Sequence, residues 1–364
     1  MGKIKRDIHE ATRSYEQWLK TCTDVVQAEL TSKHEQMKDD EFLFLRGTYY
    51  RWAQLWPVVC EDLAQAPKVL GCGDLHAGSF GTWRDEEGRL CWGVDDFDNA
   101  YPLPYTNDLV RLACSVKILQ QAEQLSIPHK EGCEAILEGY RTSLREGGCP
   151  IVLAEEETNL AKLGIDAFEY PPDFWSSLEA LPAVRDQAAP REARNALQNS
   201  LPDARMDFKI VRREAGLGSL GQPRFIAVGK WCGGFVAREA KSAVPAATSW
   251  LAGQNGNSKI FYNQAIGSAI RSADPYQKVS SSWLIRRLSP DSNPIEIADL
   301  PKKRDEGTLL QAMGTEVANV HLGSTRQTKN ILKDLNRRKG KWLRAASRDM
   351  AKHLHKDWKE YRDS

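Results

Sequence analysis

The chain has 364 residues, which is more than one small core holds and fits two or three lobes. With 41% hydrophobic residues, 27% charged residues and a formal net charge of +1, its composition is that of an ordinary globular protein, and its overall charge selects no class of partner. No apolar run reaches the roughly 18 residues of a membrane-spanning helix, and the polar start lacks a secretory signal pattern. We therefore expect a cytoplasmic protein with reduced cysteines and no membrane partner.

Apolar spacing predicts mainly helices in the first part of the chain, interrupted by two short buried strands. Tyr101–Pro104 is expected to form a rigid turn, because proline fixes its own φ and restrains its neighbour. Residues 151–205 are broken by prolines and predict short helices and a connector. The predicted helices cover residues 5–37, 49–64, about 109–119 and 131–146, and the strands lie at 69–70 and 90–94.

The composition changes at Asp207, where strand-like runs separated by glycine-rich turns predict an antiparallel sheet. A helix is expected at 258–270, another strand at 281–288, and helices from about 306 to the end. These elements give three predicted segments, which are a helical segment with short strands at 1–205, a sheet at 206–290, and closing helices at 291–364.

A loop sequence follows the first predicted strand and reads Gly-Cys-Gly-Asp-Leu-His-Ala-Gly-Ser up to Ser79. It resembles the His-Gly-Asp-x-His-x-x-Asn loop of aminoglycoside and choline kinases. The resemblance implies that Asp74 is the catalytic aspartate, which accepts or orients the proton of an attacking hydroxyl, and that His76 holds the loop. Ser79 stands where the motif has a metal-binding asparagine, so we expect it to bind the metal, although a hydroxyl is a weaker ligand for Mg²⁺. The alternative is an ordinary turn.

An acidic sequence follows the second predicted strand and resembles the metal-binding strand end of kinases. Carboxylates at this place bind Mg²⁺, which prefers oxygen ligands. Alternation along a strand would put Asp96 and Asp98 on one face and Asp95 on the other. We therefore expect Asp96 to bind the metal, Asp98 to be a second ligand, and Asp95 to be structural. A solvated acidic turn is the alternative. Asp108, further on, resembles an aspartate that ties the loop, and a helix cap explains it equally well.

A glycine-rich run lies between two predicted strands, with Gly216, Gly218, Ser219 and Gly221 as its candidate phosphate-binding residues. Glycines in this setting let the backbone N–H groups approach a triphosphate. Lys241, at the end of Val-Ala-Arg-Glu-Ala-Lys, resembles the kinase lysine that holds the α- and β-phosphates. The kinase pattern also needs a glutamate on the next helix to position this lysine, and residues 258–270 contain none. Gln264 is the nearest polar candidate, and Glu239 is another. A small sheet with glycine turns is the alternative.

These segments, taken in order, resemble an uncharacterised bacterial domain-of-unknown-function family that is grouped with kinase-like folds. Further matching sequences are Phe-Leu-Phe-Leu-Arg-Gly ending at Gly47, Asp-Leu-Val-Arg-Leu from Asp108, and Ala-Asn-Val-His ending at His321. The resemblance implies an α+β fold of the two-lobe protein-kinase type. Because the catalytic loop precedes the glycine loop, it also implies a circularly permuted order.

On this basis we expect an ATP-dependent, Mg²⁺-dependent phosphotransferase that acts on a hydroxyl of a small-molecule acceptor. The first alternative is a pseudokinase that binds nucleotide without turnover, which Ser79 and the missing helix glutamate favour. The second is a metal-dependent phosphoesterase, which the scarcity of histidines disfavours. The C-terminal residues from Arg326 carry 13 Lys or Arg against 5 Asp or Glu. A solvated helix face is favoured there over a nucleic-acid surface. The acceptor and the oligomeric state stay open.

Overall fold

The computed structural model describes residues 7–153, 168–185, 188–214, 216–254, 256, 258–292 and 306–364. Its described helices are α1 (Ile8–Cys22), α2 (Gln27–Asp39), α3 (Glu41–Gly47), α4 (Tyr49–Val59), α5 (Tyr105–Gln121), α6 (His129–Glu146), α7 (Pro171–Ala180), α8 (Arg191–Gln198), α9 (Ala247–Leu251), α10 (Tyr262–Ser268), α11 (Glu306–Leu322), α12 (Thr328–Arg337) and α13 (Trp342–Arg362). Its described strands are β1 (Lys68–Gly71), β2 (Phe80–Arg84), β3 (Leu90–Val94), β4 (Tyr101–Pro104), β5 (Phe208–Val211), β6 (Arg224–Trp231), β7 (Gly234–Ser242), β8 (Lys278–Ser280) and β9 (Trp283–Leu288).

The described part of the chain thus combines helices with small antiparallel sheets, and the predicted mixture of α and β structure is confirmed. The first predicted helix, 5–37, is divided into α1 and α2. Residues between them bond elsewhere, since Val26 N–H donates to the Gly221 carbonyl and the Thr23 hydroxyl lies 2.7 Å from that of Ser242. Tertiary hydrogen bonds therefore interrupt a sequence with helical periodicity. Among the described helices none is long and apolar enough to cross a membrane.

One large hydrophobic core joins the helices of the first half to those at the C-terminal end of the chain. Helices α6 and α11 pack with their backbones almost in contact. A Cβ atom on Gly139 would lie 2.8 Å from the Gln311 carbonyl carbon, and one on Gly314 would lie 2.9 Å from that of Ile136. Glycine at both positions is therefore what allows this close crossing.

Two small antiparallel sheets hold the β1–β2 loop, which contains Asp74, and the acidic turn that follows β3. Strand β1 pairs with β4, and the β2–β3 hairpin lies between them in sequence. The prediction of a rigid turn at Tyr101–Pro104 is wrong, because these residues form β4. Among the described residues β4 pairs with β1 alone, so its two prolines, which lack an N–H group, do not interrupt pairing on a second side.

The third sheet has five antiparallel strands in the order β5-β6-β7-β9-β8. Its two faces are covered by different helices, as the alternation of side chains along a strand allows. Helix α8 packs through Ala193 and Leu197 on the face that carries Phe225, and α7 packs through Phe174 on the face that carries Ile226. All five strands fall within the predicted 206–290 segment. The limits of the three segments as domains stay a prediction.

Candidate functional site

A cleft of about 200 Å³ lies between the helical body and the five-stranded sheet. Residues from the β1–β2 loop and from the turn after β3 line one side, and residues from the sheet and the glycine-rich run line the other. The body side includes Arg46, Asp74, His76, Ser79, Asp95 and Asp96, and the sheet side includes Arg213, Gly216, Gly218, Ser219, Arg224, Lys241 and Arg286.

Arg111 of α5 holds the carboxylate of Asp74 at the edge of this cleft. Its Nε donates to Asp74 Oδ1 at 3.0 Å, and its Nη2 donates both to the same oxygen and to the Leu45 carbonyl, the latter at 2.8 Å. The guanidinium is fully buried and lies 5.0 Å from the ring centroids of Tyr49 and Trp52. Burial raises the pKa of Asp74, although the charge of Arg111 opposes the shift. A carboxylate with a raised pKa is a better proton acceptor.

Asp108 ties the beginning of the same loop to the body of the protein. Its carboxylate accepts the N–H groups of Cys72 at 2.7 Å and Gly73 at 3.1 Å. It also lies 3.1 Å from Nε2 of His321, whose Nδ1 is 2.8 Å from the Tyr140 hydroxyl. Burial opposes ionisation, but these hydrogen bonds outweigh it and lower the pKa of Asp108. Asp108 lies inside α5, so the helix-cap alternative is wrong and the loop contact is what the structure contains.

His76 and Ser79 close the loop through hydrogen bonds within it. Nδ1 of His76 accepts the Gly78 N–H at 3.2 Å. The Ser79 hydroxyl accepts the His76 N–H at 3.0 Å and donates to the Asp74 carbonyl at 3.3 Å. Burial and the nearby charge of Arg46 keep the pKa of His76 well below its usual value, so its imidazole is neutral. His76 therefore positions the loop, and the Ser79 hydroxyl that was predicted to bind metal is already used in the same task.

The turn after β3 supplies the acidic side of the cleft. Strand β3 ends at Val94, so the strand alternation expected for residues 95–98 does not apply, and Asp95 lines the cleft together with Asp96. Asp96 Oδ1 accepts the backbone N–H of Asp98 at 2.9 Å, and the Asp98 carboxylate forms an ion pair with Lys241. The turn therefore presents two carboxylates to the cleft and a third to the lysine.

The three carboxylates of this turn differ in their pKa values. Burial and the neighbouring charge of Asp96 raise the pKa of Asp95 to about 7 and that of Asp98 to about 6. Desolvation would raise the pKa of Asp96 as well, but the charges of Lys241 and Arg286 and the hydrogen bond from the Asp98 N–H together outweigh it, and the pKa of Asp96 lies below the ordinary value. Asp96 is thus the carboxylate of this turn that is most readily ionised.

Strand register explains why a buried carboxylate and three cations share one face of the large sheet. Arg224 on β6 is paired with Lys241 on β7, and Glu239 on β7 is paired with Arg286 on β9. Directly paired residues point to the same face, as do residues two apart on one strand. Glu239 accepts from Arg224 Nη1 at 2.9 Å and from Arg286 Nε at 2.6 Å. Arg224 and Arg286 thus form ion pairs with Glu239, whereas Lys241 forms its ion pair with Asp98.

The glycine-rich run forms a short 3₁₀ turn, Leu217–Ser219, between β5 and β6. Gly216 precedes it with a φ of +73°, and Gly221 follows with a φ of +92°. Residues with side chains rarely adopt these values, which explains the glycines at the two ends of the turn. A Cβ on Gly218 would lie 3.9 Å from Asp74 Oδ2. The middle of the run therefore faces the carboxylate of the β1–β2 loop across the cleft.

Helix α2 anchors the run from behind. Lys33 donates to the Gly218 carbonyl at 3.0 Å, and Glu29 accepts the Gly221 N–H at 3.1 Å. Gly221 also packs against Leu30, since a Cβ there would lie 2.6 Å from Leu30 Cγ. Gly221 is therefore a structural anchor of the run and does not line the cleft.

Sequence reasoning thus placed most of its candidates in one cleft. Asp98 reaches the cleft through its ion pair with Lys241 rather than by lining it. Gln264 is exposed and bonds Lys259, so it is not the partner of Lys241. Missed residues are Asp95, Arg111, Arg213, Arg224 and Arg286. The register of β6, β7 and β9 would have indicated Arg224 and Arg286, but register cannot be obtained from periodicity alone.

Comparison with known protein families gives a match to part of the chain. Residues 25–162 match the model of a family described as "Uncharacterized protein conserved in bacteria (DUF2252)". The matched segment, less than half of the chain, contains the β1–β2 loop and the acidic turn. The five-stranded sheet and the glycine-rich run lie outside it. No curated protein and no solved structure matches the chain.

Proposed function

We propose that this protein is a kinase-like phosphotransferase with a circularly permuted two-lobe fold. In this proposal it binds ATP with Mg²⁺ and transfers the γ-phosphoryl group to a hydroxyl of a small molecule. The observation that supports it is the convergence, in one cleft, of Asp74, the acidic turn at 95–98, the glycine-rich run and Lys241. These are the base, metal-binding and phosphate-binding parts that one phosphoryl transfer requires.

Asp74 has the surroundings of a proton acceptor. It faces the cleft, its pKa is raised, and Arg111 fixes one of its oxygens. Its other oxygen, Oδ2, is directed toward the glycine-rich run, as the distance to the Cβ position of Gly218 indicates. In the proposed reaction Asp74 accepts the proton of the acceptor hydroxyl, and His76 keeps the loop in place.

Lys241 and the neighbouring arginines would hold the phosphates. Lys241 is now paired with Asp98, so phosphate binding requires it to exchange that carboxylate for phosphate oxygens. The cleft of about 200 Å³ is also smaller than the roughly 300–1,000 Å³ of most ligand sites. Nucleotide binding would therefore move the sheet away from the acidic turn.

The acidic turn fits Mg²⁺ in the manner of a nucleotide-bound ion. Among the described residues no group of three or more His, Cys, Asp or Glu side chains is arranged to hold a metal by itself. Mg²⁺ does not need such a group, because it takes one or two carboxylates and completes its shell with phosphates and water. Asp96 and Asp98 would hold it, and it would neutralise charge on the phosphates.

Nucleotide binding without turnover is the second candidate, and one observation favours it. The Ser79 hydroxyl bonds the His76 N–H and the Asp74 carbonyl, so it contributes little to a second metal position. A metal-dependent phosphoesterase is disfavoured, because only His76 among the seven histidines lines the cleft.

The proposal is tested by measuring ATP binding calorimetrically with Mg²⁺ or Mn²⁺, together with transfer of labelled γ-phosphate to water and to a set of hydroxyl compounds. Lys241→Met is expected to weaken binding at least about tenfold, and Lys230→Met, an exposed lysine of the same sheet, is the matched control. Asp74→Asn is expected to retain binding and to lose turnover by about 100-fold or more.

The outcomes separate the candidates. Binding that depends on Lys241, with turnover that depends on Asp74, supports the phosphotransferase. Binding with no turnover by the unmodified protein supports the nucleotide-binding module. Absence of ATP binding at millimolar concentration with either metal ion refutes both.

A further inference from the structure

A second concave site lies on the outer side of the five-stranded sheet, between α8 and the edge strand β5. Its volume is about 580 Å³, within the range of about 300–1,000 Å³ typical of ligand sites. None of the residues that line it lines the central cleft. It therefore requires an explanation of its own.

One wall of this outer pocket is a face of α8. Arg191, Arg194, Asn195 and Gln198 line it, and their spacing of three, four and seven residues puts them on the same side of the helix. The helix begins beside the pocket, since its N-cap is Pro190. The N-terminal end of a helix carries partial positive charge. This wall therefore offers two guanidinium groups and two amides, supported by a positive helix end.

The opposite wall is strand β5 with the segment that pairs onto it. Val184 N–H donates to the Ile210 carbonyl at 2.7 Å, and Ala183 bridges Val211. Phe208, Ile210 and Val184 are partly buried and pack on the same small core as α8. They give the pocket an apolar side opposite its charged one.

The charge of the pocket has no compensating carboxylate among the described residues that line it. Four cations converge there, namely Arg185, Arg191, Arg194 and Lys209. Lys209 donates to the carbonyl oxygens of Glu179 and Leu181, which carry no net charge. Within the described chain no hydrogen bond or ion pair engages the other three side chains, whereas Arg224 and Arg286 of the central cleft are paired with Glu239. In a protein with nearly equal numbers of acidic and basic residues, such a cluster is not explained by overall charge.

We propose that the outer pocket binds a small organic anion that carries an apolar group. Guanidinium groups form paired, charge-assisted hydrogen bonds with phosphate and carboxylate oxygens, and Arg191 and Arg194 are placed one helical turn apart for this. The apolar part of the ligand lies on Phe208 and Ile210. The site is independent of the function proposed for the central cleft.

The test is calorimetric titration of the full chain at low ionic strength with phenyl phosphate and, separately, with benzoate. Saturable binding of either probe is expected, and the tighter one identifies the preferred anion. Arg191→Gln combined with Arg194→Gln is expected to weaken binding at least about tenfold, as the loss of charge-assisted hydrogen bonds predicts. Asn195→Glu, which leaves both arginines in place and adds a negative charge, is expected to weaken it similarly.

Two controls make the result specific. Arg337→Gln combined with Arg348→Gln removes two exposed arginines elsewhere and is expected to leave binding unchanged. Lys241→Met, in the central cleft, is also expected to leave it unchanged. The proposal is overturned if neither probe saturates by about 20 mM, well above the millimolar range of weak ligands. It is also overturned if the control pair weakens binding as much as the pocket pair, or if Lys241→Met abolishes it.

Discussion

Replacing Glu239 by glutamine tests how the sheet side of the cleft is held together. Glu239 is 1% exposed and receives one hydrogen bond from Arg224, which is 5% exposed, and one from Arg286, which is 35% exposed. Glutamine keeps the shape but removes the charge, and it turns one acceptor into a donor that faces a guanidinium. Breaking a buried ion pair from one side costs about 3–5 kcal/mol. Because Arg286 is partly solvated, we expect the lower end, a loss of about 3 kcal/mol.

The free energy of unfolding is to be measured by urea titration. The variant should unfold at a lower urea concentration with an unchanged dependence on denaturant. Glu134→Gln is the matched control, since Glu134 pairs with Lys130 at 3.8 Å and both side chains are more than half exposed. Exposed pairs of this kind contribute about 0.2–0.5 kcal/mol. A loss below about 1 kcal/mol for Glu239→Gln would refute the reasoning, because the two arginines would then have found other partners.

The loss of stability caused by Glu239→Gln is expected to depend on pH. Burial alone would raise the pKa of Glu239, but the charges of Arg286 and Arg224 outweigh it and hold the pKa well below its usual range. A group with a lowered pKa in the folded state stabilises the protein fully above its unfolded pKa, which is about 4.3 for glutamate. The difference in stability between the unmodified protein and the variant should therefore be largest above about pH 5 and shrink as the pH falls. A difference that grows toward low pH would contradict this account.

Three further substitutions have defined outcomes. Asp108→Asn should lower the free energy of unfolding by about 2–3 kcal/mol and increase amide hydrogen exchange at the start of the β1–β2 loop. Unchanged protection of these amides would show that the loop does not depend on this carboxylate. Gly221→Ala should lower the free energy of unfolding by about 3 kcal/mol. The control Gly233→Ala should lower it by only about 1 kcal/mol, because Gly233 has a similar φ but no atom within 4 Å of an added Cβ. Equal losses in thermal or urea unfolding would exclude a role for the contact with α2. Gly139→Ala should lower the free energy of unfolding by about 3 kcal/mol, because the added Cβ separates α6 from α11. The control Gly267→Ala, at an open helical position, should be neutral or stabilise the protein by about 0.5 kcal/mol. If Gly139→Ala is tolerated, the two helices can move apart without loss of stability.

The parts of the site that sequence predicted are those in which chemistry is concentrated in a few neighbouring residues. The loop with Asp74 and His76 and the lysine at 241 were recognisable because each has a local motif. Arg111 lies in a matching motif, but its contact with Asp74 was not predicted, because the two residues are brought together by packing of α5 against the loop. Long-range pairing of this kind leaves no periodic signal in the sequence.

The secondary structure likewise divides into segments that local sequence predicts and segments that long-range contacts determine. Several helices and strands were predicted to within a few residues, as at α6 and β3. Two of the misjudged segments, Tyr101–Pro104 and the junction of α1 with α2, are determined by hydrogen bonds to distant residues. Proline in a strand and a break in a helix are local exceptions that only a tertiary partner makes favourable.

The close crossing of α6 and α11 has a consequence for biosynthesis. The strands of the large sheet all lie within residues 208–288, so they are complete before α11 leaves the ribosome. At about 5–20 residues per second, α11 follows α6 by roughly 10–30 s. During that interval the face of α6 that includes Gly139 lacks α11, although α5 can already pack against another part of α6. The segment that precedes α11 is therefore expected to need chaperone protection until α11 has been synthesised.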